Sequence, residues 1–268
     1  MTDTQSDHIL LAVRAAVEAG EAVLRVYGGE FAVEYKEDAS PLTMADQRSH
    51  AVIKERLADT SLPLLSEEGA QVPYEERSTW KRFWLVDPLD GTKEFVKRNG
   101  EFTVNIACIQ DGRPEFGVVV VPVRELIYLG VPGQGAYRWR SGREVFDKDL
   151  PALLAGAEKL PLVGGKERPF TVVGSRSHPS PDLEGFLDEQ RERHPDLTMT
   201  PAGSSLKFCL VAEGRADLYP RFGPTMEWDT AAGQAVAEGA GKTVTEHETG
   251  LPMTYNKPDL HNPWFVVK

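Results

Sequence analysis

Apolar residues recur with a helical period over residues 8–27, where Ile9, Val13, Ala16, Val17, Val23, Leu24 and Tyr27 form one stripe and Gly28-Gly29 supplies the stop. A strand over 31–35 follows, and Thr43 is placed to cap a second helix over 45–58, with Asp46 in its first turn. A strand over 62–65 leads to Ser66-Glu67-Glu68-Gly69, and residues 74–81 read as charged loop. The run 83–86 reads as a short buried strand that ends at Asp87, because Pro88 has no N–H for a ladder. Strands are predicted over 102–110, 115–121, 124–130 and 135–139, and Asp111-Gly112 is a hairpin turn signal. Between 140 and 169 the pattern breaks down, and the division between an N-terminal half, 1–160, and a C-terminal half, 161–268, is placed there. The second half alternates: strand 170–173, helix 182–193, strand 197–200, helix 204–213, strand 216–219, helix 229–238, a short strand near Thr243 and a last strand over 264–267. That alternation predicts a second sheet flanked by helices.

Composition narrows the picture only a little. The 268 residues, 41% hydrophobic and 26% charged, can bury a large core. The longest apolar run, 117–123, is too short to cross a bilayer, and the polar, acidic first residues do not read as a secretory signal. A cytoplasmic protein is expected, with contact at the inner membrane face left open, and the sequence fixes no oligomeric state. Cys108 and Cys209 sit in apolar patterning and read as buried free thiols. A net charge of −11 argues against a nucleic-acid polymer as partner. A small phosphorylated substrate fits if cations and a few local bases reverse the field at its pocket.

The candidate chemistry gathers at Asp87-Pro88-Leu89-Asp90-Gly91-Thr92. Asp90-Gly91 supplies a turn, and Thr92 sits where a helix can begin, with the N–H groups of Gly91, Thr92 and Lys93 free to hold an anion. Two carboxylates flanking such a turn can bring oxygen-loving cations to a phosphate, whereas a lone Asp-x-x-Asp is more often a solvated turn. Two further segments end in acids: Glu67 follows an apolar run, and Asp229 heads an apolar helix. Three such ends point to one shared site.

Ser66-Glu67-Glu68, Asp87-Pro88-Leu89-Asp90-Gly91-Thr92 and Trp228-Asp229 resemble, in order and separation, the three metal motifs of the inositol monophosphatase superfamily. The resemblance covers nearly the whole chain. It implies an α+β or α/β fold, a layered α-β-α-β-α sandwich with the site between the halves, and Mg²⁺-dependent phosphomonoester hydrolysis that is sensitive to lithium. One ion would be held by Glu67, Asp87 and the carbonyl of Leu89, a second by Asp87, Asp90 and Asp229, and a third, weaker one near Glu67. Like charges 4 Å apart repel by roughly 4 kcal/mol at an effective dielectric near 20, so four acids need cations to stay ionised together. No His/Cys ligand set is visible, and oxygen donors suit Mg²⁺.

The resemblance makes Asp46, Thr92 and Glu67 the catalytic set, with Thr92 bonding the attacking water and Asp46 orienting Thr92. For Asp46, stabilisation of the helix dipole is the competing reading, and the final proton acceptor stays open. Gly91 and Thr92 would hold the scissile phosphate beside Asp229. His178, Ser204, Lys207 and Arg221 lie near strand ends or helix starts, where α/β proteins bind ligands. Singly, the bases would be surface charges; together with the Gly174-Ser175-Arg176-Ser177-His178 run they resemble the bisphosphate nucleotidases of the superfamily. In its inositol phosphatases the position of Arg221 is typically an acid that accepts polyol hydroxyls, whereas an arginine suits a second phosphate. The implied reaction is loss of the 3′-phosphate from adenosine 3′,5′-bisphosphate to give AMP, with the sulfated form as a further substrate. An inositol- or fructose-bisphosphate-type sugar phosphatase and a catalytically silent nucleotide-binding protein are the alternatives.

Overall fold

The computed structural model describes residues 2–35, 41–140, 142, 144–162, 168–174 and 181–268. Its centre is a seven-stranded sheet in which Leu64–Ser66 pairs parallel to Arg82–Asp90. The sheet then continues as an antiparallel meander through Thr103–Gln110, Arg113–Val121, Leu126–Val131, Gly135–Arg140 and the short strand Glu158–Lys159. The 110–113 turn is tight because Asp111 and Gly112 both adopt positive φ, 48° and 75°.

Both faces of this sheet are buried, so its strands read as near-continuous apolar runs, and the two-residue side-chain period sorts them. Trp84, Val86, Val104, Ile106, Val118 and Leu129 face the helices Asp3–Tyr27 and Met44–Leu57. Phe83, Leu85, Ala107, Ile109, Val119 and Tyr128 face the helices Leu206–Ala212 and Ala231–Gly239. Beyond those helices lie a three-stranded sheet of Tyr219–Arg221, Phe265–Val267 and Val244–Glu246, and a parallel pair of Thr171–Gly174 and Thr198–Pro201. Helix Pro181–Arg193 closes that side through Leu187, packed with Val172, Leu218 and Phe222. The layers run helix, sheet, helix, sheet, helix, as expected.

Several boundaries differ from the sequence expectation. The central strand does not stop at Asp87 but runs through Pro88 to Asp90. Proline is tolerated because the pairing with 103–110 shifts register between Asp87 and Asp90, and the parallel partner is already spent at Val86. Residues 74–81 are not all loop, since Tyr74–Arg77 forms a helical turn whose buried Arg77 bonds the carbonyls of Lys257 and Pro258. The strand expected at 216–219 is shifted to Tyr219–Arg221. The first helix starts at Asp3, because the Thr2 hydroxyl accepts from Gln5 N at 3.2 Å.

Candidate metal centre and phosphate pocket

The bulge after Asp87 turns the end of the central strand over the sheet edge. Asp87 Oδ1 accepts the Leu89 N–H at 2.9 Å, and the Ser49 hydroxyl donates to the Pro88 carbonyl at 2.6 Å. Gly91 then takes φ +91° and the five-residue helix Thr92–Val96 begins, so its first N–H groups have no partner within the helix. A side chain at Gly91 would be strained and would press on Ser204 Cβ at 3.3 Å.

Carboxylate oxygens of Glu67, Asp87 and Asp229 lie within 4.8 Å of one another. Glu67 arrives on the turn just past the parallel neighbour strand, its N–H donating to the Val86 carbonyl at 3.2 Å, and Asp229 arrives on the turn Glu227–Asp229 that precedes helix Ala231–Gly239. Burial first, then the charges of Glu67, Asp90 and Asp229, push Asp87 well above the usual carboxylate range. Burial, then Asp90 and Glu67, push Asp229 up to about 8, against a 2.9 Å bond from Met226 N. An all-oxygen donor set whose members resist ionising together fits a hard divalent cation. Asp90 stands beside this triad: its Oδ2 accepts from Ser205 N at 2.6 Å and the Ser205 hydroxyl lies 2.9 Å away.

The two readings open for Asp46 are met by different oxygens. Oδ2 accepts Thr43 N and Thr43 Oγ1, both at 2.8 Å, closing a capping box, while Oδ1 lies 3.2 Å from the Thr92 hydroxyl. Burial raises the Asp46 pKa, and the bonds from Thr43 partly offset the rise.

Glu67, Asp87, Leu89, Asp90, Gly91, Thr92, Arg221 and Asp229 line one cavity, of about 310 Å³. An adjoining one, of about 120 Å³, is lined by Asp90, Gly91, Ser204, Lys207, Tyr219, Arg221 and Asp229. Lys207 is buried there; burial first, with Arg221 nearby, pushes it down to about 8, and its Nζ donates to the Ser204 carbonyl at 2.7 Å. Arg221 donates from Nη2 to Pro224 O at 2.9 Å, while its Nε and the Ser204 hydroxyl are buried without a partner among the described residues. Every predicted site residue but one therefore borders one continuous pocket or supports its wall. His178 lies outside the described residues. Sequence reasoning missed Tyr219, whose ring carries the Lys207 ammonium 5.4 Å from its centroid, and Ser205. A period-two reading of 217–221 puts Tyr219 on the same face as Arg221 and could have found it.

A fold with an acid triad near a strand end, and with Lys207 and Arg221 in the pocket beside it, defines a metal-assisted phosphatase class. The chain belongs to the inositol monophosphatase family, whose pattern it matches over residues 5–263. It is 45% identical to the 3′(2′),5′-bisphosphate nucleotidase CysQ of Salmonella typhimurium over 257 residues, 94% of this chain and 96% of that protein. It is 44% identical to the Escherichia coli K12 nucleotidase over the same shares. The crystal structure of CysQ from Bacteroides thetaiotaomicron superposes with a TM-score of 0.90 at 45% identity, covering 98% of this chain and 97% of that one. Among the described residues no helix is long and apolar enough to cross a membrane.

Proposed function

We propose that this enzyme is a Mg²⁺-dependent 3′(2′),5′-bisphosphate nucleotidase that releases the 3′-phosphate of adenosine 3′,5′-bisphosphate to give AMP, and acts likewise on the sulfated form. The observation that carries the reading is the second lobe: Lys207, Arg221 and the Ser204 hydroxyl, which has no partner among the described residues, stand together beside the acid triad, where a substrate with two phosphates needs a second anion site. A polyol monophosphate can place only neutral hydroxyls there, which leaves Lys207 and Arg221 without a second phosphate to pair with.

Two to three Mg²⁺ ions are assigned to Glu67, Asp87, Asp90, Asp229 and the Leu89 carbonyl. Bound there, they supply Lewis-acid activation of water and neutralise the charge gathering on the ester in an in-line displacement. The chain's own groups do the rest. The Thr92 hydroxyl proton is committed to Asp46 at 3.2 Å or to Leu89 O at 3.3 Å, which leaves its lone pair to accept a hydrogen bond from the attacking water. The N–H groups of Gly91 and Thr92 hold the scissile phosphate. Ser204, Lys207 and Arg221 take the remote 5′-phosphate, Arg221 through its planar fork.

Phosphate release is measured with Mg²⁺ on adenosine 3′,5′-bisphosphate, its sulfated form, inositol 1-phosphate and fructose 1,6-bisphosphate. The bisphosphorylated nucleotide is expected to turn over with the highest kcat/KM, and Arg221→Ala to cut that value by about 10² for the nucleotide, as loss of a charge-assisted pair implies, while sparing inositol 1-phosphate. A preference for either sugar phosphate that Lys207→Ala and Arg221→Ala leave intact would overturn the substrate assignment.

A further inference from the structure

Among the described residues, Asp90 is held by more hydrogen-bonding groups than Asp87 or Asp229. One of its oxygens, Oδ2, faces the Ser205 N–H at 2.6 Å, the Ser205 hydroxyl at 2.9 Å, Asn105 Nδ2 at 3.3 Å and Thr103 Oγ1 at 3.4 Å. Ser205, Asn105 and Thr103 are all buried. The Ser205 hydroxyl also lies 2.7 Å from the backbone carbonyl of Asp229 and accepts from Asn105 Nδ2 at 3.0 Å. It has one proton, which goes to the Asp90 carboxylate or to the Asp229 carbonyl. Ser205 thus touches the carboxylate of Asp90, 115 positions away in the chain, and the backbone of Asp229, 24 positions away.

We infer that Ser205 is the positioning residue of the metal centre: its N–H occupies one oxygen of Asp90 and leaves the other as the ligand atom, while its hydroxyl, donating to that same Asp90 oxygen or to the Asp229 carbonyl, holds the two segments in register. The inference rests on the metal-site reading above. Partners that orient a ligating carboxylate are worth about 10- to 100-fold in metal affinity. Because Ser205 follows Ser204 directly and precedes Lys207 by two positions, the turn that clamps Asp90 also carries part of the remote-phosphate grip.

The test is calorimetric titration of Mg²⁺ into the full-length chain, with no substrate present. Ser205 has φ −66° and ψ −6°, so alanine takes its backbone without strain. Ser205→Ala is expected to weaken Mg²⁺ binding about tenfold, to lower the melting temperature of the metal-free protein by no more than the few degrees that a lost buried hydroxyl contact costs, and to recover kcat at saturating Mg²⁺. Ser205→Cys, which fills nearly the same volume with a weaker donor and adds no ligand for a hard cation, is expected to weaken Mg²⁺ in the same direction. Mg²⁺ affinity within twofold of wild type in either variant overturns the inference. So does a metal-free melting temperature that falls in step with affinity, which assigns Ser205 to the fold alone. Wild-type protein that takes up no Mg²⁺ sinks the metal-site reading itself, which separates the two failures.

Discussion

At the scale of single residues, the pocket sets opposed charges against their own burial. Asp229 is pushed up to about 8 by burial and by Asp90 and Glu67, so the metal-free folded chain keeps a proton there that the unfolded chain releases near its ordinary 3.8. Stability from that proton is present at low pH and is lost as pH climbs toward 8. Asp46 and Asp87, also raised, act with the same sign. His8 and His50, lowered from 6.5 by burial, act oppositely below that value, and Lys207, lowered to about 8, acts oppositely above it. The clear window is therefore pH 6.5 to 7.5. There the metal-free protein is expected to lose about 1 kcal/mol, read as a fall of roughly 2–4 °C in melting temperature. Saturating Mg²⁺, which competes with the proton, should flatten that slope. Paired thermal melts in EDTA and in Mg²⁺ decide it, and an EDTA curve that rises across the window contradicts the arrangement.

At the scale of elements, the approach of helix Ala231–Gly239 to the sheet sets where Asp229 stands. Gly117 and Gly130 are register partners on neighbouring strands, and the helix lies on the patch they leave bare. A Cβ at Gly130 would come within 2.2 Å of Ala235 O, and one at Gly117 within 2.6 Å of Ala232 Cα. Backbone cannot give way as a flexible side chain can, so Gly130→Ala must push the helix off the sheet. A loss of about 3 kcal/mol or more in denaturant-induced unfolding is expected, with weaker Mg²⁺ binding because Asp229 moves with the helix. Unchanged unfolding would show that the contact is looser than these distances.

These glycines also mark what the sequence could and could not disclose. Helix Met44–Leu57 with its Thr43 cap, the antiparallel meander and the carboxylate-bearing ends were legible, because apolar period, caps and turn residues are local signals. Pro88 inside a strand was not, since only the register shift and the short partner strand make it harmless. Nor was Ser205, a common hydroxyl whose partners are remote in the chain.

At the scale of the whole molecule, residues before and after position 160 contribute to one core cluster and one site. Phe83, Leu85, Ala107, Ile109, Val119 and Tyr128, each at most 1% exposed, are covered by helices from beyond residue 205. Tyr128 donates its hydroxyl to the buried carboxylate of Glu213 at 2.7 Å, and Arg138 donates to the same carboxylate. A fragment of residues 1–160 would keep the seven-stranded sheet but leave that face and that hydroxyl without partners. An apolar face of this kind exceeds what monomeric proteins expose, so the fragment is expected to aggregate or bind a hydrophobic dye and to melt without a cooperative transition. It would hold Glu67, Asp87 and Asp90 yet lack Asp229, Lys207 and Arg221, so it should neither take up Mg²⁺ with wild-type affinity nor release phosphate. Co-expression with residues 161–268 should restore both, because the missing helices then return to the sheet. A fragment that stays monomeric and unfolds in one sharp step would show that the sheet is stable without the second half, and that the helix-sheet interface, rather than the core, joins the ligands.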